Sequence, residues 1–264
     1  MNLTDGKTII DLLKKHGLWA KKRLGQNFLI SSSALSKIVK TADISQHEHV
    51  VEIGPGLGVL TRELSNSAKK VTSVELDSSL LPALKETLLD CKNVEIINMD
   101  ALKFIPPAGP YKVVANIPYN ITSPLINHFL QAENKPSSIT LLVQKEVAEK
   151  ICQLEPKVSI LSLQIALFGK AEFIKGIPST AFFPIPNVDS AIIRIILRDP
   201  QNPDFIPTDE ALKILKTAKQ AFSQKRKKLS NTLPHLKGIT EIDLNRRPET
   251  LSVKEWQTLN QLSS

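Results

Sequence analysis

Between Val50 and Gln144, short β-branched apolar runs alternate with stretches in which apolar positions recur every three to four residues. The short runs predict strands at residues 49–53, 70–75, 94–99, 112–116 and 138–144. The periodic stretches predict helices at 57–68, 79–89 and 122–132. Alternation of this kind implies an α/β fold with a mostly parallel sheet, helices on both its faces and right-handed crossovers. Residues 146–154 and 159–168 also read as helices. Two later strands, 171–176 and 190–197, are joined by a proline-rich loop without a helix, which points to an antiparallel pair at one sheet edge.

The segment 199–204 contains two prolines and no apolar residue, so it reads as a linker. Beyond it the strand signal stops. Helices are predicted at 208–222, 225–233 and 253–262, with a short helical turn at 241–244. Asp209 and Glu210 suit the first turn of a helix beginning at Thr208. The expected organisation is a large α/β domain over residues 1–198, with an N-terminal arm over 1–30, and a small all-helical domain over 205–264.

Composition narrows the picture. At 264 residues, 42% hydrophobic and 23% charged, the chain is neither disordered nor fibrous. Cys91 and Cys152 are too few for a disulfide scaffold or a four-cysteine zinc site, and suggest a reducing compartment. The five histidines show no ligand-like spacing, so no metal site is expected. The longest uncharged apolar stretch, 158–168, is about half a membrane span. The N-terminus lacks the apolar core of a secretory signal, and the expected location is cytoplasmic.

Charge changes the picture more. The net charge is +8, and residues 205–264, with 11 Lys/Arg against 6 Asp/Glu, carry +5 of it. The densest run is Lys225-Arg226-Lys227-Lys228; a second cluster is Lys21-Lys22-Arg23. A solvated helix face accounts for such runs about as well as a polyanionic partner does. On a helix the four consecutive cations would fan outward, with Phe222 and Leu229 anchoring the core side.

Chemistry collects at predicted strand ends. Gly54-Pro55-Gly56-Leu57-Gly58 follows the first strand and opens a helix. Its G-x-G-x-G spacing differs from the G-x-G-x-x-G of dinucleotide enzymes, and its bent loop need not aim a helix at a pyrophosphate. Glu75 ends the next strand, where a carboxylate accepts both hydroxyls of a ribose; Asp100 ends the third, placed for an adenine amine. Each signal alone also fits a tight turn or a helix cap. Together they favour an adenosine ligand without a pyrophosphate, a description that S-adenosylmethionine fits.

Asn116-Ile117-Pro118-Tyr119 ends the fourth strand. An adenine amine is a poor nucleophile because its lone pair is delocalised into the ring. The Asn116 side-chain oxygen and the Ile117 carbonyl can accept its two N–H groups, Pro118 helps turn that carbonyl inward, and Tyr119 can stack on the base. This tetrad, with Leu24–Leu29, Glu52–Gly58, Phe182–Ser190 (F-x-P-x-P-x-V-x-S) and Ala221–Lys227, resembles the ribosomal RNA adenine dimethyltransferase family, and most its small-subunit members.

The resemblance implies a Rossmann-like S-adenosylmethionine-dependent methyltransferase domain and a basic helical RNA-binding domain. It implies cofactor contacts at Asn27, Leu29, Gly54, Glu75, Asp100 and Asn116. The catalytic set is Asn116, Ile117, Pro118 and Tyr119, with Phe182 closing the other face of the base, or Phe183 if the loop register differs. RNA contacts fall at Lys225, Arg226, Lys227 and Lys228. The implied partner is small-subunit ribosomal RNA in a pre-ribosomal particle, met by a monomer. Competing readings are a large-subunit resistance methyltransferase, a non-catalytic assembly or transcription factor, and a DNA adenine methyltransferase. The complete tetrad speaks against the second. Asn116 and the short C-terminal domain speak against the third.

Overall fold

The computed structural model describes residues 1–152, 158–224, 226–236 and 240–262. Its elements run α1 (Gly6–Lys15), β1 (Phe28–Leu29), α2 (Ser32–Ala42), β2 (His49–Ile53), α3 (Val59–Ser67), β3 (Lys70–Glu75), α4 (Leu81–Thr87) and β4 (Val94–Asn98). They continue β5 (Tyr111–Asn116), α5 (Thr122–Gln131), β6 (Ser138–Gln144), α6 (Lys145–Cys152), α7 (Ile160–Phe168), β7 (Gly169–Ile177), β8 (Phe182–Phe183) and β9 (Ser190–Leu197). Helices α8 (Thr208–Phe222), α9 (Leu229–Thr232) and α10 (Val253–Leu262) close the chain.

The main sheet has seven strands in the order β4-β3-β2-β5-β6-β9-β7. The first five are parallel, and β9 enters antiparallel to β6 with Ser190 opposite Gln144. Strands β9 and β7 are neighbours at the edge, as the sequence predicts for the two late strands. Nearly every residue of β2, β3, β5 and β6 is buried on both sides of the pleat, so layers cover both faces of the sheet. The chain moves outward from β2 through β3 to β4, then returns to place β5 on the other side of β2. That reversal opens a crevice at the C-terminal ends of β2 and β5, where sheets of this kind bind ligands.

Helices α1 and α2 were not anticipated. Asp5 caps α1 through Thr8, and Ile9, Leu12 and Leu13 form its buried stripe. Ser31 caps α2 in the same way. Both helices contribute to one core cluster with α3 and the sheet.

The chain divides into two compact units: residues 1–148 with 172–196, and residues 149–171 with 197–264. Helix α7 therefore groups with the C-terminal helices, whereas the boundary expected at residue 198 left it with the sheet. It is buried from Ser162 to Phe168, with no polar face to turn to water, and within its unit it packs on α8 and α10. Phe222 of α8 stacks on the fully buried Trp256 of α10, with ring centroids 6.0 Å apart.

Two C-terminal expectations fail. Residues 226–228 are not helical: Arg226 lies in a turn and Lys227 in a bend, Lys228 enters the short α9 in extended backbone, and Lys225 lies outside the described residues. The Leu229 and Ser230 N–H groups donate to the carbonyls of Arg246 (3.0 Å) and Leu244 (2.8 Å), which replaces the bonds a continuing helix would make. Residues 241–244 form bends and turns without a helix.

Candidate active site

The crevice between the ends of β2 and β5 is a pocket walled by four segments: Leu24–Leu29, the glycine loop, Val74–Leu76 with Met99–Ala101, and Asn116–Ile121. Asn27, Leu29, Gly54, Glu75, Asp100, Asn116, Ile117, Pro118 and Tyr119, all singled out in the sequence, line it together.

Gly54 takes a positive φ of 69°, and a Cβ there would lie 3.8 Å from the Asn116 carbonyl oxygen, so the loop passes the tetrad with no side chain between them. The Glu75 carboxylate accepts from the N–H groups of Asp77 (2.8 Å) and Gly56 (3.1 Å), one on each oxygen. Each oxygen keeps an acceptor site, which a ribose diol requires. Burial pushes the Glu75 carboxyl up, against those two hydrogen bonds.

Asp100 lies two residues beyond β4 rather than at its end. Its side chain accepts from Leu102 N–H (2.9 Å) and caps the turn Ala101–Lys103, so it serves as a local cap as well as part of the pocket wall.

At the tetrad, Asn116 donates its side-chain amide nitrogen to the Asn27 carbonyl at 3.3 Å. The donor end is thereby engaged and Oδ1 is left as an acceptor. Ile117 is 2% exposed and offers the pocket its backbone. Pro118 meets the arm at Gly25, whose φ is 61° and where a Cβ would come within 3.2 Å of the Pro118 ring. Tyr119 is half-buried, and its hydroxyl shares a 2.7 Å hydrogen bond with Ser190.

Phe182 does not join them. It is 1% exposed and belongs to the core cluster. In the β1–β8 pair, Phe28 faces Phe183 and Leu29 faces Phe182. Phe28 and Leu29 both line the pocket, so this pairing sets both phenylalanines of β8 behind its wall, and neither of them lines it. Phe183, the register alternative, is partly buried and packs against the same core cluster.

The sequence reading passed over several groups. Glu52, fully buried, lines the pocket floor and accepts from Ser73 (2.8 Å). Leu76 is 57% exposed yet forms a wall; a large apolar residue directly after the ribose acid was the available signal. The arm is fastened by Lys21, whose Nζ lies 2.7 Å from both Asp77 and Ser79, and by Gln26, which donates to Asp77 at 2.8 Å. Of the basic run, Arg226, Lys227 and Lys228 are exposed. Among the described residues there is no cluster of three metal-ligating side chains, and no helix is long and apolar enough to cross a membrane.

With this geometry the comparison with known proteins is decisive. The chain matches the ribosomal RNA adenine dimethylase family over residues 17–262. It belongs to that family. With the family it is an S-adenosylmethionine-dependent rRNA adenine dimethyltransferase. The ribosomal RNA small subunit methyltransferase A of Dehalococcoides mccartyi is 40% identical, the alignment covering 94% of this chain and 90% of the relative. Among solved structures, the 23S rRNA methyltransferase ErmE superposes with a TM-score of 0.74 at 28% identity, over 89% of this chain and 99% of that one. A dimethyladenosine transferase from Plasmodium falciparum superposes with a TM-score of 0.72 at 25% identity, over 89% and 98%. The pocket fits the dimethylase cofactor: a free acceptor pair on Glu75, apolar walls for an adenine, and a glycine turn that leaves the tetrad end open.

Proposed function

We propose that the protein dimethylates the N6 amines of two adjacent adenosines near the 3′ end of small-subunit ribosomal RNA, in a pre-ribosomal particle, during ribosome biogenesis. The observation that carries the chemistry is the Asn27–Asn116 contact, which engages an Asn116 amide N–H and leaves Oδ1 as acceptor for the incoming amine. The small-subunit assignment rests on relatives of that name at about 40% identity over nearly the whole chain.

S-adenosylmethionine, when bound, supplies a methyl carbon already activated by its sulfonium. What remains for the protein is alignment and desolvation. Asn116 Oδ1 and the Ile117 carbonyl accept the two amine hydrogens and draw the nitrogen lone pair out of conjugation. Tyr119 offers its ring to the extruded base, and a phenylalanine of β8, Phe182 or Phe183, is the candidate to close the other face. Glu75 holds the ribose end of the cofactor. Gly54 keeps the passage between cofactor and amine clear.

The test is incubation of the protein with labelled cofactor and unmethylated small subunits, followed by mapping of the modified adenines. Dimethyladenosine at paired positions near the 3′ end is expected. Label confined to the large subunit would move the assignment to the resistance class. The Asn116→Ala variant should lose roughly 10²–10³-fold in transfer rate, the scale of one preorganised hydrogen-bond partner, with cofactor affinity largely kept.

A further inference from the structure

Ser190 is fully buried at the first position of β9, opposite Gln144 of β6. The residue before it is pinned twice: the Asp189 carbonyl accepts from Lys145 N–H at 3.0 Å, and its side chain accepts from Ser179 N–H at 2.9 Å. The Ser190 hydroxyl is thus fixed by the sheet. Among the described residues the one hydrogen-bond partner of that hydroxyl is the Tyr119 phenol, 2.7 Å away and 71 positions earlier in the chain.

Tyr119 stands on less rigid ground. It opens the short turn Tyr119–Ile121 beyond the end of β5, closed by Ile121 N–H on the Pro118 carbonyl (3.2 Å) and by the Thr122 hydroxyl on the Tyr119 carbonyl (3.1 Å). Neither bond restrains the ring. A tyrosine ring turns about two side-chain torsions, and its hydroxyl is the handle by which a neighbour can hold it.

We infer that Ser190 is a positioning residue for methyl transfer: through its hydroxyl it sets the plane of the Tyr119 ring against which the target adenine stacks. The inference rests on the reading of this pocket as the adenine site. It gives the last serine of the Phe182–Ser190 segment a task distinct from that of the aromatic residues at the segment's start.

A double-mutant cycle tests it. Single-turnover methylation, cofactor affinity, particle affinity and melting temperature are measured for wild type, Ser190→Ala, Tyr119→Phe and the double variant. Tyr119→Phe keeps the ring and removes the hydroxyl. Each single variant should slow transfer about three- to tenfold, the weight of one net hydrogen bond, with cofactor affinity unchanged. The double variant should be no slower than either single one, because the same bond is missing in all three. Ser190→Thr keeps the hydroxyl and should restore most of the rate. Losses that multiply in the double variant, or Ser190→Ala at wild-type rate, overturn the inference. If Ser190→Ala fails to fold, Tyr119→Phe at wild-type rate overturns it equally. Wild type that methylates no ribosomal adenine overturns the underlying function as well, whereas an active wild type with independent variants overturns this inference alone.

Discussion

Glu52 lies in the centre of the sheet, fully buried, with Ser73 donating to it and no ion pair among the described residues. Burial pushes its carboxyl up to about 7; the Ser73 hydrogen bond opposes that rise and the charge of Glu75 adds to it. A carboxyl raised in the folded state favours folding at low pH. Its contribution is fully present below the ordinary value of 4.5 and is lost as pH rises through about 7. Glu52→Gln, which imitates the neutral form, should therefore match wild type near pH 4 and exceed it in stability by up to roughly 3 kcal/mol at pH 8. Urea denaturation at the two pH values checks this; equal gains at both would show that the residue is not titrating in the interior. Single residues were legible in proportion to how local their role is. Gly54, Glu75 and the tetrad announce themselves because strand ends and turn residues follow from chain position. Phe182 misled because its facing depends on register with a two-residue strand more than 150 positions earlier. Asp100 stands in the pocket wall and caps a turn as well, since a strand-end acid can do both for the same geometric reason.

Among elements, the central strands were read almost to the residue, because strands buried on both faces appear as short runs rich in β-branched and apolar residues. The N-terminal arm was legible only as a motif. What fastens it, Lys21 and Gln26 on Asp77, joins positions more than 50 residues apart, and no periodicity encodes that. Burial alone would raise the Asp77 carboxyl, but hydrogen bonds from Lys21, Ser79 and Gln26 outweigh it and hold the group at about 2. The sign is opposite to that of Glu52: the stability this latch adds is present above about 4 and lost as pH falls through about 2. Because residues 24–29 wall the pocket, the latch also bears on the cofactor. Asp77→Ala should cost about 2–3 kcal/mol, less than a fully buried pair because Lys21 is partly in water. It should weaken cofactor binding and open the 21–23 segment to trypsin. Calorimetry and a proteolysis time course read the two effects, and unchanged values for both would make the arm a passive wall.

At the scale of the molecule, chemistry and charge fall in different units. The pocket belongs wholly to the first, while the residues after 204 carry +5 of the net +8. The run Arg226-Lys227-Lys228 was expected on a helix and lies instead between α8 and α9, in a connection held at one end by Phe222 on Trp256 and at the other by Leu229 N–H on the Arg246 carbonyl. We propose that the run meets a polyanion in this conformation too. Consecutive cations on a helix point around its circumference, and some must turn away from any one ligand. Here all three are exposed, with Arg226 in a turn and Lys227 in a bend. Each phosphate that they neutralise would release counterions, so affinity should fall steeply as salt rises. Changing Arg226, Lys227 and Lys228 to glutamine should weaken binding to the small ribosomal subunit and reduce the slope of log affinity against log salt by about 2–3, near one unit for each phosphate no longer neutralised. Cofactor affinity should stay at the wild-type value, since none of the three lines the pocket. Binding measured between 50 and 300 mM salt, roughly the range over which such pairings weaken most, decides the matter: parallel lines for the two proteins would mean that the cations only face water.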